Sequence, residues 1–248
     1  RSEERPRDGI YYFLLFDPDA PAPADPRPAQ PNTFYAQHDP AGTMGMVTSR
    51  SDATTNATYF HWRLAWNRID HQRADSLGFG LWKNGIWFTK IMTGYGALQG
   101  SSEFRNNLAL KNGTTLFPSA NYEAQNDHPR GSQWSYGPAT DPQILERSLS
   151  DKFIHFDADA TGLYNYYGQP SQQNIQHASR SLVWLKPDHI IIYDRAKSAQ
   201  PGEFKKWCLN MPGIPTITGT TASAVASDGA TAKGKLFVQT LLPAGAVP

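Results

Sequence analysis

Cysteine is almost absent from this 248-residue sequence, in which Cys208 is the single example. One thiol cannot form a disulfide within the chain, and it excludes zinc or redox sites built from several cysteines. Charged residues are also few, at 18%, and the formal net charge is only +1. No overall basic field therefore favours nucleic acid or an anionic membrane, and an anionic ligand would have to be bound at a local site.

Long hydrophobic stretches are missing as well. Apolar runs such as Tyr11–Phe16 are far shorter than the roughly 20 residues that a membrane-spanning helix needs. The first residues, Arg1 to Arg7, are charged and contain no apolar signal core, so we expect the chain to start after processing or within a longer protein. The low charge, the single cysteine and the many Asn, Gln, Thr and Trp residues favour a secreted or periplasmic protein.

Hydrophobic residues make up 39% of the chain and include seven tryptophans, which is typical of a folded protein with a substantial core. Prolines are concentrated in residues 17–40, where they disfavour a helix and favour extended backbone. We therefore predict a proline-rich leading segment or linker over residues 1–40 and a domain over 41–248. Because residues 241–248 follow strand-like sequence directly, we expect this domain to be truncated at its C-terminus.

Short apolar or alternating runs recur after residue 41 at intervals of about ten residues, separated by Gly, Pro, Asn and Asp, which predicts an antiparallel β-sandwich. These runs lie at 43–48, 58–66, 77–83, 86–92, 106–111, 152–157, 161–167, 179–186, 189–194, 203–210, 214–218 and 235–242. Asp141 and Pro142 before residues 143–150 predict one short helix. The stretch 219–234, rich in Gly, Ala, Thr and Ser, predicts a loop.

Asn-Gly pairs predict two hairpins, one at residues 84–85 and one at 112–113. If Asn84-Gly85 is a two-residue loop, Trp82 lies opposite Trp87, and this pair favours packing over sugar stacking. The same register places Phe79 opposite Lys90 and Asp75 opposite Gly94. The open end of this hairpin then gathers polar residues at one rim of the sandwich: His71, Arg73, Asp75 and Tyr95.

Residues 70–79, Asp-His-Gln-Arg-Ala-Asp-Ser-Leu-Gly-Phe, lead into this hairpin, and Gly-Tyr-Gly follows at 94–96. The order resembles the β-sandwich domain of the heparinase II/III-like polysaccharide lyases, whose pattern runs His-x-His-x-Asp, then Gly/Ser-Phe, a Gly-x-Trp-Leu hairpin and Gly-Tyr. Phe104–Gly113 is similar to that family's His-Asn-Thr strand, and Ser181–Arg195 is similar to its later Arg-x-Leu and Asp-Arg strands. The resemblance implies an all-β, supersandwich-like fold.

The resemblance further implies β-elimination on a polysaccharide that contains uronic acid. This chemistry needs a neutralised uronate carboxylate, a base for the C5 proton and an acid for the departing glycosidic oxygen. The resemblance implies that His71 and Tyr95 are catalytic residues. It also implies that Arg73, Arg105 and Asn107 bind the substrate. Each also has a structural interpretation: His71 as a rim histidine, Tyr95 as a turn aromatic, and Arg73 as an ion-pair partner of a nearby aspartate.

The sequence departs from the family's pattern at two places. Arg73 replaces the second His, and Asn106-Asn107-Leu108 replaces His-Asn-Thr. A His/Asp/His set on this domain can hold structural zinc in such families. Because the set is incomplete here, we expect no zinc and no cofactor. The family's N-terminal α/α toroid is also missing, so the resemblance implies that this chain works with a toroid domain of the same parent protein and is inactive alone.

The expected partners are therefore an acidic polysaccharide and that toroid, with no nucleic acid and no membrane. The alternative is a non-catalytic carbohydrate-binding or structural sandwich. Other reaction classes lack their motifs, since the sequence has no Gly-x-Ser-x-Gly elbow, no phosphate-binding loop and no dinucleotide fingerprint. Asp157 and Asp159 share one face of a predicted strand, which is only a weak indication of a glycosidase.

Overall fold

A computed structural model describes residues 19, 21, 24–37, 45–64, 74–91, 101–112, 130–134, 138–167 and 173–244. Contacts divide the chain into two units after Gln30. In the first unit, Arg27–Ala29 forms one 3-10 turn, and the Arg27 guanidinium pairs with Asp25. All the described strands belong to the second unit, Pro31–Pro248.

Fourteen strands make up most of the regular structure. They are β1 (Thr33–Gln37), β2 (Gly45–Arg50), β3 (Tyr59–Leu64), β4 (Phe79–Lys83), β5 (Ile86–Thr89), β6 (Leu108–Leu110), β7 (Gln143–Leu149), β8 (Phe153–Asp159), β9 (Ile175–Leu185), β10 (His189–Ser198), β11 (Lys205–Trp207), β12 (Thr216–Thr218), β13 (Thr221–Ser227) and β14 (Ala232–Gln239). Sheet I has the order β1-β2-β3-β4-β5, sheet II β10-β9-β8-β7 and sheet III β12-β13-β14, while β6 pairs with β11. Every strand pair is antiparallel, and none of the sheets closes into a barrel among the described residues.

The core lies between sheets I and II, because alternate residues of their strands point towards each other. Trp62 of β3 stacks on Phe156 of β8 with ring centroids 4.3 Å apart, and Phe60 stacks on Trp184 of β9 at 5.0 Å. All four rings are fully buried. Burying a large aromatic side chain contributes several kcal/mol, so these pairs dominate the packing of the two sheets. The predicted all-β sandwich is confirmed.

Sheet III extends the sandwich beside β5. Its strand β13 buries three alanines towards the core, Ala222, Ala224 and Ala226. Gly234 of β14 lies so close to Phe88 that an added Cβ would come within 2.5 Å of the ring. Small side chains are therefore needed on this face. The loop predicted over 219–234 from its Gly, Ala, Thr and Ser content is wrong, because these residues contribute to the paired strands β13 and β14.

Two further expectations are corrected by the structure. Residues 143–150 do not form a helix, because β7 pairs along β8 and buries part of Ile144, and an isolated helix of this length is marginal in water. The predicted strand at 161–167 begins with a 3-10 turn, Thr161–Tyr164. Thr33–Gln37, which lies within the predicted leading segment 1–40, forms β1 at one edge of sheet I, and the predicted domain boundary stays a prediction.

The hairpin register is confirmed near its turn and wrong further away. Trp82 lies opposite Trp87, as predicted, but an irregularity between Leu81 and Trp82 places Leu81 opposite Thr89. This one-residue shift removes the predicted pairing of Phe79 with Lys90. Gly94 and the part of the second hairpin beyond Asn112 lie outside the described residues.

Candidate functional site

The candidate site is the rim at the end of sheet I where β3 finishes and β4 begins. The predicted residues His71, Arg73 and Tyr95 lie outside the described residues, so their assignment stays a prediction. The structure describes the chain up to Leu64 and again from Ala74. The segment Ala74–Gly78 therefore carries the structural information about this rim.

Asp75 of this segment is buried and receives a hydrogen bond from the Arg63 guanidinium over 3.1 Å. Backbone bonds join Leu77 N–H to the Arg63 carbonyl and Gly78 N–H to the Asp75 carbonyl, which closes a tight turn. Leu77 has a φ of 71°, a conformation that is rare for a bulky residue and persists only where neighbours hold it. The rim is thus built on a turn that needs support from its surroundings.

Gln133 supplies part of this support, although it lies 57 residues away in sequence. Its side-chain nitrogen donates to the Ser76 carbonyl over 2.8 Å, and its side-chain oxygen accepts the Ser76 N–H over 3.2 Å. Ser102 adds a second contact by donating from its hydroxyl to the Ala74 carbonyl and accepting the Gln133 N–H. Both backbone groups of Ser76 are therefore satisfied by one amide side chain, as buried polar groups require.

Arg180 supports the turn from sheet II. Its guanidinium donates to the carbonyls of Leu77 and Asn106 over 2.6 and 2.8 Å and pairs with both carboxylate oxygens of Asp194. Asn106 also has a positive φ, 54°, and its side chain donates to the Phe79 carbonyl and the Thr89 hydroxyl. Two turns that contain a residue with positive φ are thus joined by one buried cation.

Arg105 and Asn107, the predicted substrate-binding residues, lie directly beneath this turn and are both buried. The Asn107 side chain donates to the Ser76 carbonyl and accepts the Leu108 N–H. The Arg105 carbonyl approaches Gly78 so closely that an added Cβ would lie 2.6 Å from it. The structure gives these residues packing contacts with the rim, and substrate binding by them stays a prediction.

Tyr164 completes the support from the 3-10 turn after β8. Its hydroxyl donates to the Leu108 carbonyl over 2.8 Å and accepts from the Gln133 side chain over 3.2 Å. Burial raises the pKa of this phenol above its usual range, so it is a hydrogen-bond donor rather than a base. Gln133, Ser102, Tyr164 and Arg180 were not singled out from the sequence, since long-range side-chain to backbone bonds leave no local signal.

A Ser-His-Asp arrangement lies on the outer face of sheet II. The ring of His177 contacts the Ser179 hydroxyl at 2.8 Å and Asp159 at 3.7 Å. Ser179 is 0% exposed, so its oxygen cannot reach a substrate as a nucleophile would have to. Asp159 also accepts both the N–H and the hydroxyl of Thr161, which makes it part of the turn.

Asp157 and Asp159 share the outer face of β8, as predicted, because the strand alternates between half-buried and buried positions. Asp157 accepts from the Ser181 hydroxyl over 3.0 Å and lies 3.5 Å from Arg195. These contacts support an edge-charge role rather than a glycosidase pair. Within the described part of the chain, no three His, Cys, Asp or Glu side chains are grouped to hold a metal. In the same residues, no helix is long and apolar enough to cross a membrane.

No family model and no curated protein matches this sequence. Among solved structures, a mutant of the heparan sulfate lyase HepC from Pedobacter heparinus is 16% identical, with a TM-score of 0.53 over 84% of this chain and 29% of that chain. The heparinase III BT4657 gene product is 14% identical, with a TM-score of 0.52 over 80% of this chain and 28% of that chain.

The sandwich is similar in fold to heparan sulfate lyases. At this identity the likeness shows the fold alone, and the chain spans less than a third of the length of these heparinase-like structures.

Proposed function

We propose that this chain is the β-sandwich part of a polysaccharide lyase that cleaves a uronic-acid-containing polysaccharide by β-elimination. The observation that carries the proposal concerns Asp75, the last residue of the segment that resembles His-x-His-x-Asp. Asp75 lies in the supported rim turn of a fold that is similar to heparan sulfate lyases. Heparan sulfate, which the similar lyases are named for, is an acidic polysaccharide of this class. The same proposal includes a secreted or periplasmic location, where the protein would encounter such polysaccharides.

The proposed reaction assigns one task to each predicted residue. A base removes the C5 proton of the uronate, the electron pair forms the C4–C5 double bond, and the C4–oxygen bond breaks. An acid returns a proton to the departing oxygen, and a cation neutralises the carboxylate. His71 and Tyr95 share the base and acid roles, and Arg73 faces the carboxylate. Further catalytic groups come from a toroid domain of the parent protein, so the chain alone is inactive.

The buried turn supports this assignment physically. Proton transfer requires the catalytic group to lie within hydrogen-bond reach of the substrate, and a small displacement is costly. His71 is only three residues before Ala74, whose carbonyl is held by Ser102. The hydrogen bonds on Ala74 and Ser76 therefore fix the described segment that follows His71 in the sequence.

The second candidate is a non-catalytic carbohydrate-binding or structural sandwich. The burial of Arg105 and Asn107 favours it, and the Asn107 side chain already bonds to the Ser76 carbonyl and the Leu108 N–H. The two candidates differ in one measurable property, the formation of an unsaturated product.

The deciding experiment assays the full-length protein on a panel of uronate polysaccharides by the ultraviolet absorbance of the unsaturated product. His71→Ala should lower turnover by about 100-fold or more, the usual size for a positioned acid or base. His155→Ala, on the outer face of sheet II, is the matched control and should leave turnover unchanged. Equal turnover per folded molecule for His71→Ala and wild type would contradict the catalytic assignment and favour the second candidate.

A further inference from the structure

The outer face of sheet I carries an unusual set of exposed rings. Phe34 on β1 is 52% exposed, and Tyr59 on β3 and Trp87 on β5 are each 37% exposed. The register places Tyr59 beside Trp82, and Trp82 beside Trp87, so one row of three aromatic residues crosses β3, β4 and β5. We call Phe34, Tyr59, Trp82 and Trp87 the aromatic face.

A glycine helps to fix the rings of this face. Gly80 of β4 lies opposite His61, and an added Cβ there would come within 2.2 Å of the imidazole. The His61 ring therefore crosses over β4 and meets Trp87 edge to face at 5.6 Å, while Tyr59 meets Trp87 at 6.5 Å. Trp87 is held by two perpendicular rings, which reduces the entropy lost when it contacts a ligand.

The charge of this face is weakly positive. Its outward positions on β2 and β3 include Arg50 and Arg63, and the outward positions of β1 to β5 include no carboxylate. Arg63 is paired with Asp75 from the rim, and Arg50 donates to Asn32. The outer face of sheet II differs, because it carries Asp157 and Asp159.

We propose that the aromatic face is a second binding surface for an extended acidic polysaccharide, separate from the rim. Ring faces pack against the apolar C–H faces of pyranose sugars, and Arg50, which lies opposite Tyr59, adds one positive charge beside the row. The row crosses the strands and lies about 13 Å from Arg63 along β3, so this surface is separate from the rim. This inference takes its polymer class from the proposed function, but it requires no catalysis.

Single-stranded nucleic acid is the less favoured ligand, although it also stacks on aromatic rings. Such sites combine stacking with a strongly basic groove that follows the phosphates. Here one of the two arginines is already neutralised by Asp75, and the whole chain has a net charge of only +1. Binding on this face therefore depends on contacts between the rings and sugar faces more than on charge, which favours a polysaccharide over a nucleic acid.

Isothermal titration calorimetry of the 248-residue chain with heparan sulfate tests the proposal. Tyr59→Ala and Trp87→Ala should each weaken binding by about tenfold, the loss expected when an aromatic contact is truncated. Trp87→Phe, which keeps a ring, should retain most of the affinity. Tyr193→Ala is the matched control, because this residue is 52% exposed on the outer face of sheet II, and it should bind like wild type.

Phe34→Ala is a second test in case Trp87→Ala fails to fold. Phe34 is exposed on an edge strand, so its loss should leave the fold intact and should also weaken binding. The proposal is overturned if wild type does not bind heparan sulfate, or if Tyr193→Ala weakens binding as much as Trp87→Ala. It is also overturned if oligothymidine binds more tightly, or if light scattering shows a dimer that Trp87→Ala dissociates.

Failure of the proposed function gives a different result. If the full-length protein forms no unsaturated product but the chain still binds heparan sulfate through Trp87, the lyase assignment is wrong. The binding role proposed for the aromatic face then remains. If His71→Ala abolishes turnover and Trp87→Ala leaves binding unchanged, the binding role proposed for the aromatic face is wrong and the lyase assignment remains.

Discussion

Arg180 and Asp194 form a two-point ion pair inside the sandwich, with nitrogen to oxygen distances of 2.7 and 2.8 Å and no exposed surface on the arginine side chain. The remaining guanidinium nitrogen donates to two carbonyls of the rim turns, those of Leu77 and Asn106. Sheet II is thereby linked to the candidate site through one side chain. The pair has to be complete, because a buried charge without its partner is costly.

We therefore expect Asp194→Ala to lower the free energy of unfolding by about 3–5 kcal/mol, the loss typical of breaking a buried ion pair. Denaturant unfolding monitored by tryptophan fluorescence gives this value. The control is Asp157→Ala, which removes a half-exposed partner of Arg195 and should cost less than about 1 kcal/mol. Similar losses in the two variants would show that the buried pair has no special role.

Gln133→Ala should destabilise the rim turn, because the variant removes hydrogen bonds as well as packing contacts. The variant removes the Gln133 acceptor of the Ser76 N–H, whereas the Ser76 carbonyl still accepts from Asn107, and losing the bond to one buried group costs roughly 1–3 kcal/mol. Hydrogen exchange of the Ser76 amide should be accelerated in the variant. Gln143→Ala, at an exposed position of β7, is the control and should leave this rate unchanged. An unchanged Ser76 rate in Gln133→Ala would contradict the role of the side chain.

Stability should also decline in mild acid because of His61. Burial, followed by the nearby Arg63 charge, lowers the pKa of His61 to about 4. Between the unfolded pKa of about 6.5 and this value, the unfolded chain takes up a proton that the folded chain does not, so stability falls as pH falls. The His61 contribution at pH 5 is a loss of about 2 kcal/mol relative to pH 7.5.

Unfolding free energies at pH 7.5 and pH 5 for wild type and His61→Phe measure this contribution. The variant keeps a ring but cannot titrate, so its loss between the two pH values should be smaller by about 2 kcal/mol. Equal losses in both proteins would show that His61 titrates normally and is not desolvated by Trp87 and β4.

The sandwich itself could be predicted because its strands alternate. In β3 the pattern of Phe60, Trp62 and Leu64 facing inward is visible in the sequence, and the structure buries all three. The helix expected at 143–150 failed because Asp141 and Pro142 are local signals, whereas pairing with β8 is a tertiary interaction that overrides them. The loop expected at 219–234 failed because small residues also suit a strand packed closely against Phe88.

The candidate site could be predicted only where it follows a motif. Asp75 was expected at the rim, and its ion pair with Arg63 lies there. The supports of the turn come from Gln133 and Arg180, which are distant in sequence and lie in no recognisable pattern. Long-range hydrogen bonds to backbone carbonyls depend on the finished fold, so nothing local in the sequence indicates them.

The close approach of Gly80 and His61 leads to a last prediction. Gly80→Ala should destabilise the chain by about 1–3 kcal/mol, because the new methyl group overlaps an imidazole that cannot move inward through the sheet. The same substitution made in a His61→Ala background should cost much less, because the overlapping ring is gone. A double-mutant cycle from denaturant unfolding measures this coupling, and additive losses would show that the strand itself, rather than the ring, rejects a side chain at position 80.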